Sequence, residues 1–248
     1  MKKWILTLLC ALAFSLPAHA AVYTNGIDAA NPPFTYIDEN SGKPTGFDVE
    51  AIDWIAKTMG FEVKHVPIAW DAIIPNLLGH KIDMICSGMT ITPERARLVA
   101  FSNPYWTMYN VFIVKQDSPL TVASILTEKI RIGGQRGASE TIVLAKARKD
   151  LQLRYEMHLY DTVPQLVDAV VNDHIQAALM DSQAAQEAIS RGKAIKIAGK
   201  HGKPVSFGVA FRADDEELRT LVNAGFEKLM ADPFWNGLQL KYHLTPEN

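Results

Sequence analysis

The stretch from Ser87 to Arg95 carries the groups that proteins use to bind an anion. Thr92, followed by a proline, is typical of a helix start, where free N–H groups and the positive end of the helix dipole lie. Ser87 and Thr90 add hydroxyl donors, and Gly88 lets the backbone approach a ligand closely. Arg95 offers a planar fork of donors that matches a carboxylate. The alternative is that Arg95 pairs with a surface carboxylate and Thr92 only caps its helix.

Two later stretches add further polar groups to this chemistry. The turn from Gly137 to Glu140 opens a helix, so Ser139 presents a hydroxyl beside backbone N–H groups to the same anion. Asp181 follows the apolar strand at 177–180 directly, and its carboxylate matches a ligand ammonium. N-capping of the next helix is an equally good interpretation of Asp181. An anion site and a carboxylate on opposite sides of a cleft are what a zwitterion requires.

Strands and helices alternate along the chain in two similar halves. Apolar residues at helical spacing, with Gly60 behind them, predict a helix from about Phe47 to Met59. The other predicted elements are strands at 22–27, 61–66, 82–86, 130–133, 153–159, 175–180 and 205–211, and helices at about 70–78, after 137, from about 162 and over about 218–229. This alternation favours an α/β fold with parallel strands.

The two halves can be aligned on one another. Residues 77–83 and 170–176 each read as a helix end, a turn and a strand start. The alignment puts Gly88 opposite Asp181, each just past the carboxyl end of an equivalent strand, where open α/β sheets bind ligands. The sequence therefore predicts two α/β lobes of like topology that face one another across a cleft. Residues 87–95 form one wall, and residues 137–140 with Asp181 form the other.

The composition excludes several classes of function. The chain has 248 residues, 48% hydrophobic and 21% charged, which is ordinary for a globular protein of one or two domains. Its 25 Lys and Arg face 27 Asp and Glu, and the net charge of -2 gives no reason to expect a nucleic-acid partner. Gly-x-Ser-x-Gly, Cys-x-x-Cys and phosphate-loop motifs are absent, and the histidines are scattered, so we expect no cofactor and no metal site.

The first twenty residues have the order of a cleavable secretory signal. Two lysines precede an uncharged run at 4–16, and Ala18 and Ala20 stand where signal peptidase needs small residues, so we expect cleavage after Ala20 and a periplasmic protein. Cys10 is discarded with the signal. Cys86 remains, inside an apolar strand, and is interpreted as a core residue rather than a catalytic thiol.

Five segments together resemble the periplasmic solute-binding proteins of polar amino acid ABC importers. They occur in the family's order and spacing, as GFDVE at 46–50, WDAIIP at 70–75, ID at 82–83, GMTITPER at 88–95 and FSNPY at 101–105. The resemblance implies a monomer without enzymatic activity, with two lobes joined by two hinge strands. These lobes would close around an amino acid and deliver it to the membrane permease of an ABC importer.

Carried over by position, the resemblance assigns roles to the polar residues of the cleft. Arg95 would hold the ligand α-carboxylate, helped by Thr90, Ser139 and the backbone near Gly88, while Asp181 would hold the α-ammonium.

At the side-chain end, the resemblance implies that Phe34 and Trp70 wall the ligand and that Asp28 reaches a polar or cationic tip. Core packing is the alternative for both aromatic residues. The chain departs from the family pattern at two positions: Asn31 stands where an aromatic residue is frequent, and Gly88 stands where some members have serine. The ligand side chain therefore meets one stacking face fewer.

Lobe 1 is expected to comprise residues 21–110 and 207–248, and lobe 2 residues 111–206, with hinges near 110–114 and 205–209. Two other functions fit the same fold. One is an exported cyclohexadienyl dehydratase, with Glu140 or Asp181 as the acid that protonates a leaving hydroxyl. The other is a sensor module that reports ligand occupancy to a membrane receptor.

Overall fold

Two five-stranded sheets with the same pattern of strand directions organise the chain. The computed structural model describes residues 20–245. Of the predicted signal, residues 1–19 lie outside the described residues and only its last residue, Ala20, lies within them. The strands are β1 Val22–Ile27, β2 Ala30–Asn31, β3 Thr35–Ile37, β4 Pro44–Thr45, β5 Glu62–Pro67, β6 Met84–Ile85, β7 Ala100–Phe101, β8 Trp106–Lys115, β9 Arg131–Gln135, β10 Glu156–Tyr160, β11 Ala177–Asp181, β12 Ile195–Phe207 and β13 Ala210–Phe211.

The helices connect these strands and cover the sheets. They are α1 Phe47–Met59, α2 Ile73–Leu78, α3 Pro93–Ala96, α4 Val122–Thr127, α5 Ser139–Asp150, α6 Val163–Val171, α7 Ser182–Ser190, α8 Glu216–Ala231 and α9 Pro233–Lys241, with a 3-10 turn at Trp70–Ala72 before α2. None of the helices within residues 20–245 combines the length and apolar character that crossing a membrane requires.

The first sheet has the strand order β5-β1-β6-β13-β7, and the second has the order β10-β9-β11-β8-β12. In each sheet the first three strands are parallel and the last two join by antiparallel pairing. We call the unit around the first sheet lobe 1 and the unit around the second lobe 2. Strands β2, β3 and β4 form a small antiparallel sheet of their own. The predicted α/β fold with two lobes of like topology is confirmed.

Local sequence explains the two helices that the spacing of apolar residues predicts best. Helix α1 buries Ile52 and Ile55 against lobe 1, and Gly60 ends it in a left-handed conformation that a glycine adopts without a steric penalty. Helix α6 begins where the hydroxyl of Thr162 accepts a hydrogen bond from the backbone N–H of Gln165.

The sequence prediction differs most from the structure at the strand predicted over residues 205–211. The prediction of a single strand at 205–211 is wrong. β12 already begins at Ile195 and ends at Phe207, and residues 208–209 separate it from β13. β12 is the outer strand of its sheet, and most of its residues are exposed or half-buried. An edge strand rich in lysine and glycine lacks the apolar pattern by which strands are recognised in a sequence.

Strands β8 and β12 pair with one another and pass from one lobe to the other. Trp106 and Met108 of β8 pack in the core of lobe 1 with Phe207 of β12, whereas Val111 and Phe112 pack in the cores of lobe 2. The pairing loses its regular register between His201 and Val205. The predicted limits of the lobes, at 110/111 and 206/207, cut through these two strands and stay a prediction.

Candidate functional site

A cavity of about 460 Å³, part of it open to solvent, lies between the two lobes. The lining comes from both lobes and consists of Asp28, Asn31, Trp70, Gly88, Thr90, Arg95, Met108 and Phe207 with Gln135, Ala138, Ser139, Glu140, Val163, Leu166, Met180 and Asp181.

Arg95 is the only cation among the residues that line this cavity. Helix α3 positions it: the hydroxyl of Thr92 accepts from the backbone N–H of Arg95 and so caps the helix. The guanidinium donates to the carbonyl of Thr90 (2.9 Å) in its own lobe and to that of Gly137 (3.2 Å) in the other. It also lies over the Trp70 ring, 5.4 Å from the centroid.

Burial of Arg95 decides between its two interpretations. The residue is only 7% exposed, and burial lowers its pKa against the opposing effect of Glu140. A surface ion pair is therefore wrong for Arg95. Its hydrogen bonds within the described chain go to neutral carbonyl oxygens, so a carboxylate that enters the cavity meets a positive charge whose donors are already oriented.

Asp181 both caps a helix and lines the cavity. Its Oδ1 accepts from the backbone N–H of Ala184 (2.6 Å) and caps helix α7, and the same residue lines the cavity. Burial, with a smaller contribution from the charge of Glu140, raises the pKa of Asp181 to about 7. A cationic ligand group beside Asp181 would restore the ionised form.

Glu140 is the second acid of lobe 2 and lies in the first turn of α5. Its Oε2 accepts from the hydroxyl of Ser139 (3.2 Å), which is itself on the cavity. Burial raises the pKa of Glu140, while the Arg95 guanidinium in the other lobe lowers it. Glu140 therefore sits within electrostatic reach of both Arg95 and Asp181.

Asp28 brings a third carboxyl to the cavity, from lobe 1. Its Oδ2 accepts from the side-chain amide of Gln135 (2.7 Å) in lobe 2, and its Oδ1 accepts from the backbone N–H of Ala30 (3.0 Å). Burial raises its pKa. Ser87 and Thr35 hold the backbone of Asp28 from behind, through its N–H and its carbonyl.

The structure does not bring two of the predicted site residues to the cavity. Phe34 is fully buried in the core of lobe 1, where its ring packs edge-on against Phe47 and Phe207 at 6.2 and 5.0 Å between centroids. Ser87 is also fully buried, and its hydroxyl serves Asp28 and Thr35. The other eight predicted residues, Asp28, Asn31, Trp70, Gly88, Thr90, Arg95, Ser139 and Asp181, line the cavity.

The sequence prediction missed Gln135 and the apolar lining residues Met108, Val163, Leu166, Met180 and Phe207. Gln135 ends strand β9, at the same kind of position as Asp181 on β11, but the predicted strand stopped two residues earlier. The apolar residues carry no signal that separates a cavity wall from a core.

A metal site and a reactive cysteine are the two other kinds of site that the described residues could provide. Within residues 20–245 no three His, Cys, Asp or Glu side chains come together in a way that could hold a metal ion. Cys86 is fully buried in lobe 1, and burial raises the pKa of its thiol well above the usual value, which opposes a role as a nucleophile.

Comparison with known proteins places the chain among relatives of similar length. The family model of the bacterial extracellular solute-binding proteins, family 3, matches residues 23–245. The ABC transporter arginine-binding protein 1 of Escherichia coli K12 is 31% identical over 94% of this chain and 95% of its own. The histidine-binding periplasmic protein of the same strain is 30% identical over 98% and 97%.

A solved structure shares the fold. It is an ancestral amino acid-binding protein described as a precursor of cyclohexadienyl dehydratase, and it is 30% identical. It superimposes with a TM-score of 0.80 over 90% of this chain and 95% of that one.

Proposed function

The chain belongs to the bacterial extracellular solute-binding proteins, family 3, and from that premise we propose that it captures a cationic amino acid and delivers it to an ABC importer. The two lobes close around the ligand, which makes contacts with both and so favours the closed form. The relatives named above are periplasmic or ABC transporter proteins by their names, and the expected signal at residues 1–20 agrees with that location.

Arg95 is the observation that carries the proposal. A buried guanidinium is costly unless an anion compensates it, and Arg95 is bonded to a carbonyl of each lobe rather than to a carboxylate. The ligand α-carboxylate supplies this anion. Thr90 and Ser139 add their hydroxyls from opposite sides of the cavity, and Asp181 receives the α-ammonium.

The charge of the cavity supports a cationic side chain. Asp28, Glu140 and Asp181 face one Arg95, so a zwitterion neutralises Arg95 and Asp181 and leaves two carboxyls for the rest of the ligand. Burial raises the pKa values of these two carboxyls because it disfavours their charge. A guanidinium, imidazolium or ammonium beside them reverses that effect. The arginine- and histidine-binding relatives are consistent with this choice.

Isothermal titration calorimetry on protein that has been unfolded and refolded to remove bound ligand tests the proposal. We expect arginine, lysine, ornithine or histidine to bind at least tenfold tighter than citrulline, which has the length of arginine without its charge. Chromatography of the recovered ligand should show it unchanged. Equal binding of citrulline and arginine would overturn the cationic side chain, and no binding of any amino acid would overturn the function.

A dehydratase is the second candidate, because Glu140 and Asp181 are half-buried carboxyls with raised pKa values, as a general acid requires. The ancestral relative, described as a precursor of such an enzyme, gives the same direction. Incubation with prephenate and arogenate, followed by NMR, distinguishes the two functions. Loss of the cyclohexadienyl hydroxyl in these spectra would favour the enzyme.

A further inference from the structure

Asn31 has a buried acceptor that the protein does not use. Asn31 is 8% exposed and lines the cavity. Its side-chain oxygen Oδ1 has no hydrogen-bond partner among residues 20–245. Its backbone is held in β2 by pairing with Thr35 of β3. An unpaired buried oxygen is unfavourable unless something else donates to it.

Gly88 leaves the room that the Asn31 side chain occupies. Gly88 has a φ of +62°, in the left-handed region, and its N–H donates to Oδ2 of Asp48 (2.6 Å). A Cβ on this residue would lie 3.1 Å from Nδ2 of Asn31 and 3.4 Å from the ring of Phe207. A side chain at position 88 would therefore press on the amide of Asn31.

We propose that Asn31 and Gly88 act as one unit that reads an N–H group on the ligand side chain. Asn31 Oδ1 accepts the N–H, and Gly88 keeps the Asn31 amide in the position where it can do so. The proposal rests on the proposed function, since it takes the ligand to be an amino acid whose carboxylate and ammonium are held by Arg95 and Asp181.

Asp28 explains why Asn31 is needed beside it. Both oxygens of Asp28 already accept protein N–H groups, from Ala30 and Gln135, whereas Oδ1 of Asn31 accepts none within the described chain. A cationic side-chain group with several N–H donors, such as a guanidinium or an imidazolium, donates to Asn31 and at the same time places its charge beside Asp28. Amino acids with carboxylate or hydrocarbon side chains have no such donor and leave Asn31 unpaired.

The test is calorimetric titration of three variants with arginine and with citrulline. Asn31→Leu keeps the approximate volume and removes the acceptor, so we expect arginine affinity to fall about tenfold or more, in line with a hydrogen bond to a charged group. Asn31→Asp keeps an acceptor and adds charge, so the preference for arginine over citrulline should rise. Gly88→Ala should weaken arginine binding in the wild-type background but not in the Asn31→Leu background.

Gly42→Ala is the matched control for the glycine variant. Gly42 has a φ of +66°, and nothing lies within 4 Å of the position of its Cβ, so the variant carries the backbone strain without crowding a neighbour. It should lower the melting temperature and leave arginine affinity unchanged.

The outcomes separate the two proposals. If wild-type protein binds no amino acid, the proposed function fails. If it binds arginine and both Asn31 variants keep the wild-type affinity and the wild-type arginine preference, the reading by Asn31 fails alone. Should Asn31→Leu not fold, an unchanged arginine preference in Asn31→Asp still overturns the inference.

Discussion

The two lobes share a strand order but bring different chemistry to the cavity. Lobe 1 contributes the cation Arg95 together with Asp28, whose backbone is fixed by the buried hydroxyls of Ser87 and Thr35. Lobe 2 contributes two acids, Glu140 in the first turn of α5 and Asp181 at the cap of α7. On the proposed function, lobe closure assembles the zwitterion site, because among the described lining residues Arg95 comes from lobe 1 whereas Glu140 and Asp181 come from lobe 2.

Replacing Arg95 should have the largest effect on amino acid binding. Arg95→Ala removes the cation of lobe 1 and should weaken amino acid binding by about 2 to 5 kcal/mol, since truncating one partner of a buried charge pair costs that much. Calorimetry with arginine measures the change.

Arg97→Ala is the control, because Arg97 is exposed two residues further along the chain and is not among the residues that line the cavity. It should bind arginine as tightly as the wild type. Near-native affinity of Arg95→Ala would remove Arg95 from the site.

The acid of lobe 2 can be neutralised without disturbing its helix. Asn at position 181 still accepts from the backbone N–H of Ala184, so α7 keeps its cap while the charge is lost. We expect Asp181→Asn to lose about 1.5 to 3 kcal/mol of binding to arginine. The des-amino analogue of arginine should lose little, and equal losses for both ligands would contradict an ammonium contact.

The pH dependence of the free energy of unfolding distinguishes Asp48 of lobe 1 from Asp181 of lobe 2. Burial raises the pKa of Asp48 in lobe 1 and of Asp181 in lobe 2 to about 7 each. Between about pH 4 and 7 the empty folded protein holds protons that the unfolded chain has released, so its free energy of unfolding falls as the pH rises. Asp48 accepts hydrogen bonds from Tyr105 and Gly88 within lobe 1, whereas Asp181 lines the cavity.

Bound arginine should therefore remove the contribution of Asp181 to this pH dependence, together with that of the other cavity acids Asp28 and Glu140, and leave the contribution of Asp48. We expect scanning calorimetry from pH 4 to 7 to show a shallower loss of stability with saturating arginine than without it. Arginine affinity should correspondingly fall at least about tenfold for each pH unit well below 7, because binding then displaces at least the proton of Asp181. Empty Asp181→Asn should already show the shallower slope, and identical slopes in all samples would contradict the assignment.

The sequence predicted the cavity where strand ends determine it. Asp181 ends β11 and Gly88 lies just after the equivalent strand β6, so the alternation of strands and helices was enough to place them on facing walls. It failed for Phe34 and Ser87, because residue type does not tell which side of a strand end or loop points into the core. Gln135 escaped because its importance lies in a contact with Asp28 from the other lobe, which no local pattern encodes.

Gln135 offers the mildest way to test the contact between the lobes. Its amide donates to Asp28 Oδ2 (2.7 Å) across the cavity, so Gln135→Leu removes one neutral-to-carboxyl hydrogen bond of the closed form. We expect arginine affinity to fall by about 0.5 to 1.5 kcal/mol, mostly through faster dissociation measured by stopped flow.

Gln176→Leu is the control, because Gln176 accepts from the backbone and side chain of Arg131 within lobe 2. It should lower stability and leave dissociation unchanged. If Gln135→Leu also left dissociation unchanged, the bond to Asp28 would not contribute to holding the lobes closed, and the ligand contacts alone would account for closure.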